Sequence, residues 1–209
     1  EDENGFINNK LLDSAIATAP DIKKYPKLLL HKGVELFHAN NEILAIKYLE
    51  LANLYAVDID DIIQTKNVLS VIYMHFGQTE KAMTYFNEAL QKAEKINDTL
   101  LIDDIKFNIL ILQYDFSDKK PSINKFWDFY NNNVNKTEND KFEYLNTIYE
   151  ISNEKGFLKD SKKIRDFIYK NLMLDSLDKP YLNFFYLNNA NLDLQLKNYE
   201  SALKHTDTS

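Results

Sequence analysis

"FGQTEKAMTYFNEALQKAEKIND", Phe76 to Asp98, places small and large apolar residues on one helical face. Ala82, Phe86 and Ala89 fall at i, i+4 and i+7, so they share one side of a helix. A small residue there lets a neighbouring helix come close, and the aromatic fills the space beside it. Gly77, followed by Gln78 and Thr79, forms a tight turn upstream, with Thr79 a suitable N-cap. Before the turn, "QTKNVLSVIYMHF" (Gln64 to Phe76) carries Leu69, Ile72 and Tyr73 on an apolar face. Gln64 to Asp98 is thus predicted to be two helices joined by a glycine turn.

The unit recurs. "KGVELFHANNEILAIKYLELANLY" has Gly33 and Leu36, a turn at Asn40-Asn41, then Ala45, Leu49 and Ala52. "FYLNNANLDLQLKNYESALKH" has Ala190, a turn near Lys197-Asn198, then Tyr199 and Ala202. Two looser copies lie between them. One runs from Phe107 to Tyr114, turns at "DFSDKKP" and continues through Ser122 and Phe126. The other runs from Tyr144 to Ser152, turns at Gly156 and continues through Ser161 and Ile168. The small residues Ala45, Ala82, Ser122, Ser161 and Ala202 are 37, 40, 39 and 41 residues apart. A generic helical bundle has no reason to repeat a small residue at so constant an interval.

Composition agrees with helix. The 209 residues suffice for a sizeable core, and 44% of them are hydrophobic, despite 24 asparagines. Four Gly and four Pro are too few for a turn-rich β protein. A net charge of −7 with a single arginine, Arg165, argues against this segment wrapping nucleic acid, where cations must neutralise phosphates. The absence of cysteine removes disulfides, thiolate zinc sites and a cysteine nucleophile, and leaves the compartment undetermined. No run of roughly 18 apolar residues is present to span a membrane.

Leu69-Ser70-x2-Tyr73, Gly77 and Ala82-x3-Phe86-x2-Ala89 resemble the tetratricopeptide repeat, as do Lys32-Gly33-x2-Leu36 and Ala45-x3-Leu49-x2-Ala52. The repeat's tryptophan is absent, no proline closes the second helix, and the period exceeds the usual ~34 residues. The second helices are accordingly expected to run longer, as in "NEALQKAEKIND". The resemblance implies an all-α fold, an α-α superhelix of about five helical hairpins over residues 26–209. Residues 1–25 are expected to be a capping helix, about Gly5 to Thr18, broken at Pro20. "NNNVNKTENDK" (Asn131 to Lys141) is predicted to be a polar loop between repeats. Thr206 stands where the last helix would carry its large residue, so the last repeat reads as incomplete and the protein is expected to continue past Ser209.

In arrays similar to this one, the first helix of each hairpin lines a groove that takes a peptide or protein segment. The resemblance carries this role to Leu30, Val34 and Phe37, then to Asn67, Val71 and Met74. It continues through Phe107, Ile111 and Tyr114, then Asn146, Glu150 and Asn153. Leu187, Asn188, Asn191 and Leu194 complete the set. Such a groove is apolar in its N-terminal half and rich in asparagine in its C-terminal half, which suits an amphipathic helix or extended segment. With almost no Lys or Arg, it is not expected to take an acidic peptide tail. Lengthened arrays of this kind resemble bacterial signalling and transcription regulators. The alternative expectation is a free-standing assembly or secretion adaptor, forming a homodimer through its terminal repeat.

Nothing in the sequence points to catalysis, a cofactor or a metal. His31 and His38 are seven residues apart, about 10 Å along a helix, and read as surface or groove residues, not a ligand pair. Asp58, Asp60 and Asp61 lack the glycine and the closing glutamate of a calcium loop and are predicted to cap a helix. Asp103 and Asp104 are predicted to open another. Glu143 and Glu150 lie two turns apart, too far for a joint carboxylate site. Phe126, Trp127, Phe129 and Tyr130 are predicted to pack between repeats. No Gly-rich phosphate loop, Gly-x-Ser-x-Gly or His-Glu-x-x-His is present. Two glycosylation-type triplets, at Asn97 and Asn135, carry little weight in so Asn-rich a chain.

Overall fold

The structure is a computed structural model that describes residues 9–116, 123–132, 137–172, 174 and 179–208. The fold is all-α: among the described residues there are eleven α-helices and no strand. The chain divides into two compact units, Glu1–Asp118 and Lys119–Ser209. The first holds α1 (Asn9–Thr18), a short 3-10 turn (Ile22–Lys24), α2 (Pro26–His38) and α3 (Glu42–Tyr55). It continues with α4 (Ile59–His75), α5 (Thr79–Ile96) and α6 (Thr99–Asp115). The second holds α7 (Asn124–Asn132), α8 (Glu138–Glu154), α9 (Leu158–Asn171), α10 (Lys179–Gln195) and α11 (Tyr199–Thr208).

The periodic small residues lock hairpins. Ala45 on α3, Ala82 on α5, Ser161 on α9 and Ala202 on α11 are all buried, each on the second helix of a pair. Phe86 and Ala89 on α5, and Leu49 and Ala52 on α3, are fully buried beside them. Ser122 lies outside the described residues, as do most of the "DFSDKKP" turn, the centre of the Asn131–Lys141 loop and the first turn of the expected capping helix. At Gly33 α2 comes close to α3: a Cβ there would lie 2.5 Å from Leu49 Cγ. Gly33→Ala is expected to force Leu49 out of place and cost about 1–3 kcal/mol. Thermal melting by circular dichroism checks this, and an unchanged midpoint would mean that α2 and α3 tolerate the methyl.

Four hairpin turns close in the same way. Asn40, Gly77, Gly156 and Lys197 adopt positive φ of 56°, 67°, 71° and 61°. The next residue then donates its N–H to a carbonyl five positions back: Asn41 to Leu36, Gln78 to Tyr73, Phe157 to Ser152 and Asn198 to Asp193, at 2.7–2.8 Å. This is the Schellman closure, which satisfies carbonyls that the helix end leaves unpaired. Glycine takes that backbone freely, while asparagine and lysine adopt it against their steric preference.

Several helix starts differ from the sequence reading. Thr79 is not the N-cap of α5. It is already helical, Gln78 takes the cap position without a side-chain bond, and the Schellman turn at Gly77 returns the chain to helix at once. Asp103 and Asp104 do not open α6. Asp98 does, accepting from the N–H groups of Leu100 and Leu101 at 3.1 Å, because left-handed Asn97 ends α5 immediately before it. The first helix of the central hairpin starts at Ile59, not Gln64, with Asp58 accepting from Asp60 N–H at 2.9 Å and Asp61 N–H at 3.3 Å. Thr137 and Asp140 form a reciprocal capping box on α8.

The aromatic run on α7 packs within the second unit. Trp127 lies 4.8 Å and Tyr130 5.4 Å, centroid to centroid, from Phe167 of α9, and Phe129 lies 5.6 Å from Tyr144 of α8. The main helix contacts join elements one or two apart in chain order. In the first unit they include α2 with α4 and α4 with α6, and in the second α8 with α10. These pairs of first helices form the seams along which the predicted binding residues lie.

Candidate functional site

The seam of the second unit is lined with amides around one carboxylate. Glu150 on α8 accepts through Oε1 from Asn146 Nδ2 one turn earlier, at 2.8 Å, and from Asn188 Nδ2 on α10, at 2.9 Å. Asn153 Nδ2 donates to the Asn188 carbonyl at 3.3 Å. Gln195 Nε2 reaches Asn153 Oδ1 at 3.4 Å and Asn191 Oδ1 at 3.5 Å. Burial pushes the Glu150 carboxyl above its ordinary range; the two amides oppose this and the Glu154 charge adds to it. Asn146 Oδ1 is buried and has no hydrogen-bond partner among the described residues. Five predicted residues, Asn146, Glu150, Asn153, Asn188 and Asn191, are thereby brought into one polar ladder. Leu187 and Leu194 on α10 are exposed.

In the first unit an amide pair bridges α4 and α6. Asn108 Nδ2 on α6 donates to Asn67 Oδ1 on α4 at 3.2 Å. Val71, Val34 and Phe37 are half-buried, and Phe37 packs 5.6 Å from the His75 ring. Leu30, Met74, Phe107, Ile111 and Tyr114 are buried in the core, so their side chains contribute packing. Asn108 and Gln195 were not singled out from sequence. The available signal was spacing: Asn67 to Asn108 is 41 residues and Asn153 to Gln195 is 42, close to the interval of the locking residues.

Behind the second seam lies a buried polar core that holds four helices together. Asp193 on α10 takes a hydrogen bond from Arg165 Nη1 of α9 at 2.7 Å and one from Ser201 Oγ of α11 at 2.6 Å. His205 Nε2 approaches the same carboxylate at 3.5 Å. Burial alone would raise the Asp193 pKa, but Ser201, Arg165 and His205 together hold it below the ordinary carboxylate value. Burial, with the Arg165 charge, lowers the His205 pKa, outweighing Asp193. Tyr149 donates to Asn189 Oδ1 at 2.8 Å, and Asn189 Nδ2 donates to the Tyr169 hydroxyl at 2.9 Å. Burial, with Tyr186 next, pushes the Tyr169 hydroxyl up to about 12. Ser201 and His205 both address Asp193, so the three groups dock α11.

An open depression of about 580 Å³ between α5 and α6 is lined in part by Met83, Asn87, Leu112, Gln113 and Phe116. It shares no residue with either seam. Among the described residues, no group of three or more His, Asp or Glu is placed to hold a metal ion. No helix among them is long and apolar enough to cross a membrane. No protein-family model matches the chain, and no curated protein matches it.

Proposed function

We propose that the chain is a tetratricopeptide-like scaffold that binds a protein or peptide segment, with the α8–α10 seam as its principal contact surface. The observation that carries this reading is the polar ladder. Asn146, Glu150, Asn188 and Asn191 place amide and carboxylate groups along one partly exposed seam, groups of the kind that bond the N–H and C=O of a peptide segment. The Asn67–Asn108 contact repeats the theme in the first unit. The role we assign is the sensory or interaction region of a larger bacterial signalling or transcription-regulatory protein. That assignment rests on the repeat resemblance.

Selection of random phage-displayed peptides against the protein tests the scaffold role. Asn188→Ala with Asn191→Ala is expected to leave helicity intact and weaken selected peptides about tenfold, the scale of one or two lost hydrogen bonds. Unchanged affinity in the double variant removes the seam from the binding surface. The second reading, an adaptor that self-associates through its last hairpin, is favoured by the exposed Leu194, Leu196, Tyr199 and Leu203. Sedimentation equilibrium separates the two: a monomer at high concentration leaves only the first.

A further inference from the structure

We infer that the α8–α10 seam selects a segment bearing a cationic side chain, with Glu150 as its counter-ion. This deepens the peptide-binding reading and rests on it.

The hydrogen-bond inventory is one-sided. Asn146 and Asn188 both spend an N–H on Glu150 Oε1. Turning either amide over would set oxygen against oxygen, so their orientations are fixed by the carboxylate. Among the described residues Asn146 Oδ1 is buried without a donor, and Glu150 Oε2 accepts no hydrogen bond. The acceptor left for an incoming donor is Glu150 Oε2, since Asn146 Oδ1 is closed to solvent. Glu150 forms no ion pair among the described residues. The other charge acting on it is the Glu154 carboxylate, one turn further along α8. Among the described residues neither Glu150 nor Glu154 is ion-paired.

This excludes several occupants on chemical grounds. An acidic segment would be repelled. A neutral backbone N–H would satisfy one acceptor and leave the half-buried charge uncompensated. For a metal ion, no group of three or more His, Asp or Glu is gathered there among the described residues. A Lys ammonium or an Arg guanidinium supplies both several donors and the charge, and Arg adds a planar fork that spans adjacent acceptors.

The test uses the same displayed library, with agmatine as a guanidinium without a peptide. Peptides selected on the wild-type protein are expected to be enriched in Lys and Arg over the input. Glu150→Gln, which keeps the shape and an acceptor but removes the charge, is expected to bind them roughly ten- to a hundredfold more weakly. Its helicity and melting temperature should hold or rise, because a half-buried charge has gone. Replacing the peptide's basic residue by Gln should cause the same loss, and the two changes together little more. Glu150→Lys should shift selection toward Asp and Glu. Peptides without basic enrichment, or unaffected by Glu150→Gln, overturn the cation reading and leave peptide binding standing. Agmatine binding as tightly as the peptides would overturn the segment and point to a small amine. Failure to select any peptide overturns the scaffold role and this inference with it.

Discussion

Phe86→Ala is expected to destabilise the first unit by about 3–5 kcal/mol, a large fraction of the roughly 5–15 kcal/mol by which domains are stable. Phe86 is fully buried, and its neighbours on the same face, Ala82, Ala89 and Ala93, are too small to refill the space. The loss combines transfer of the ring to water with the cavity left between α4 and α5. Urea denaturation followed by helicity reads it directly. Asn67→Ala on the facing helix is the control: its side chain is half-buried and bonded once, to Asn108, so its effect on stability should stay near 1 kcal/mol. A Phe86→Ala protein as stable as wild type would mean that the α4–α5 interface can collapse around the deletion.

The second large effect is expected at Arg165→Met, again about 3–5 kcal/mol. Arg165 is 12% exposed and Asp193 1%, so removing the guanidinium strands a carboxylate that water cannot reach. The sign with pH follows from Asp193, whose folded pKa is lowered from an ordinary 3.8. Its stabilising contribution is complete above the unfolded value and is lost as pH falls through the folded one. The deficit of Arg165→Met should thus be large at pH 7 and shrink in acid, once the stranded carboxylate is protonated. Arg165→Met with Asp193→Leu should recover much of the loss, because an apolar pair of similar volume carries no desolvation cost. Denaturation midpoints of the three variants across pH check this; a deficit independent of pH would show that Arg165 acts through packing of its stem.

The locking face was legible in sequence because its requirement is steric. Only a small residue permits the approach seen at Ala45, Ala82, Ser161 and Ala202, so residue identity reports the contact. Gly77 and Gly156 were legible as turns for a similar reason. Lys197 was recognised only by its place in the repeat, since lysine has no preference for positive φ and its geometry is imposed by the closing bond from Asn198 to Asp193. Helix starts were less legible. A cap at Asp58 or Asp98 competes with several nearby acids, and only the backbone shows which one accepts.

The seam was partly legible. Resemblance supplied the helix face, and Asn146, Glu150 and Asn188 do meet there. What sequence does not encode locally is the rotation of each helix about its axis. On α6 that rotation buries Phe107, Ile111 and Tyr114 and gives the seam to Asn108. Nor does residue type reveal that Arg165, Asp193, Ser201 and His205 would converge from three helices, because each is ordinary on a solvated surface.

The repeated hairpin turn has a kinetic consequence. Each Schellman closure joins a helix to the partner it packs against, and the main contacts reach no further than two elements along the chain. The loops to be closed before burial begins are therefore short, and the entropy lost in closing them is small. A chain with such local contacts folds quickly, hairpin by hairpin, and can also lose one hairpin without the rest. The α10–α11 pair holds half of the ladder and is fastened through Asp193. Its opening would part Asn188 from Glu150 and dismantle the ladder while α8 and α9 stay folded.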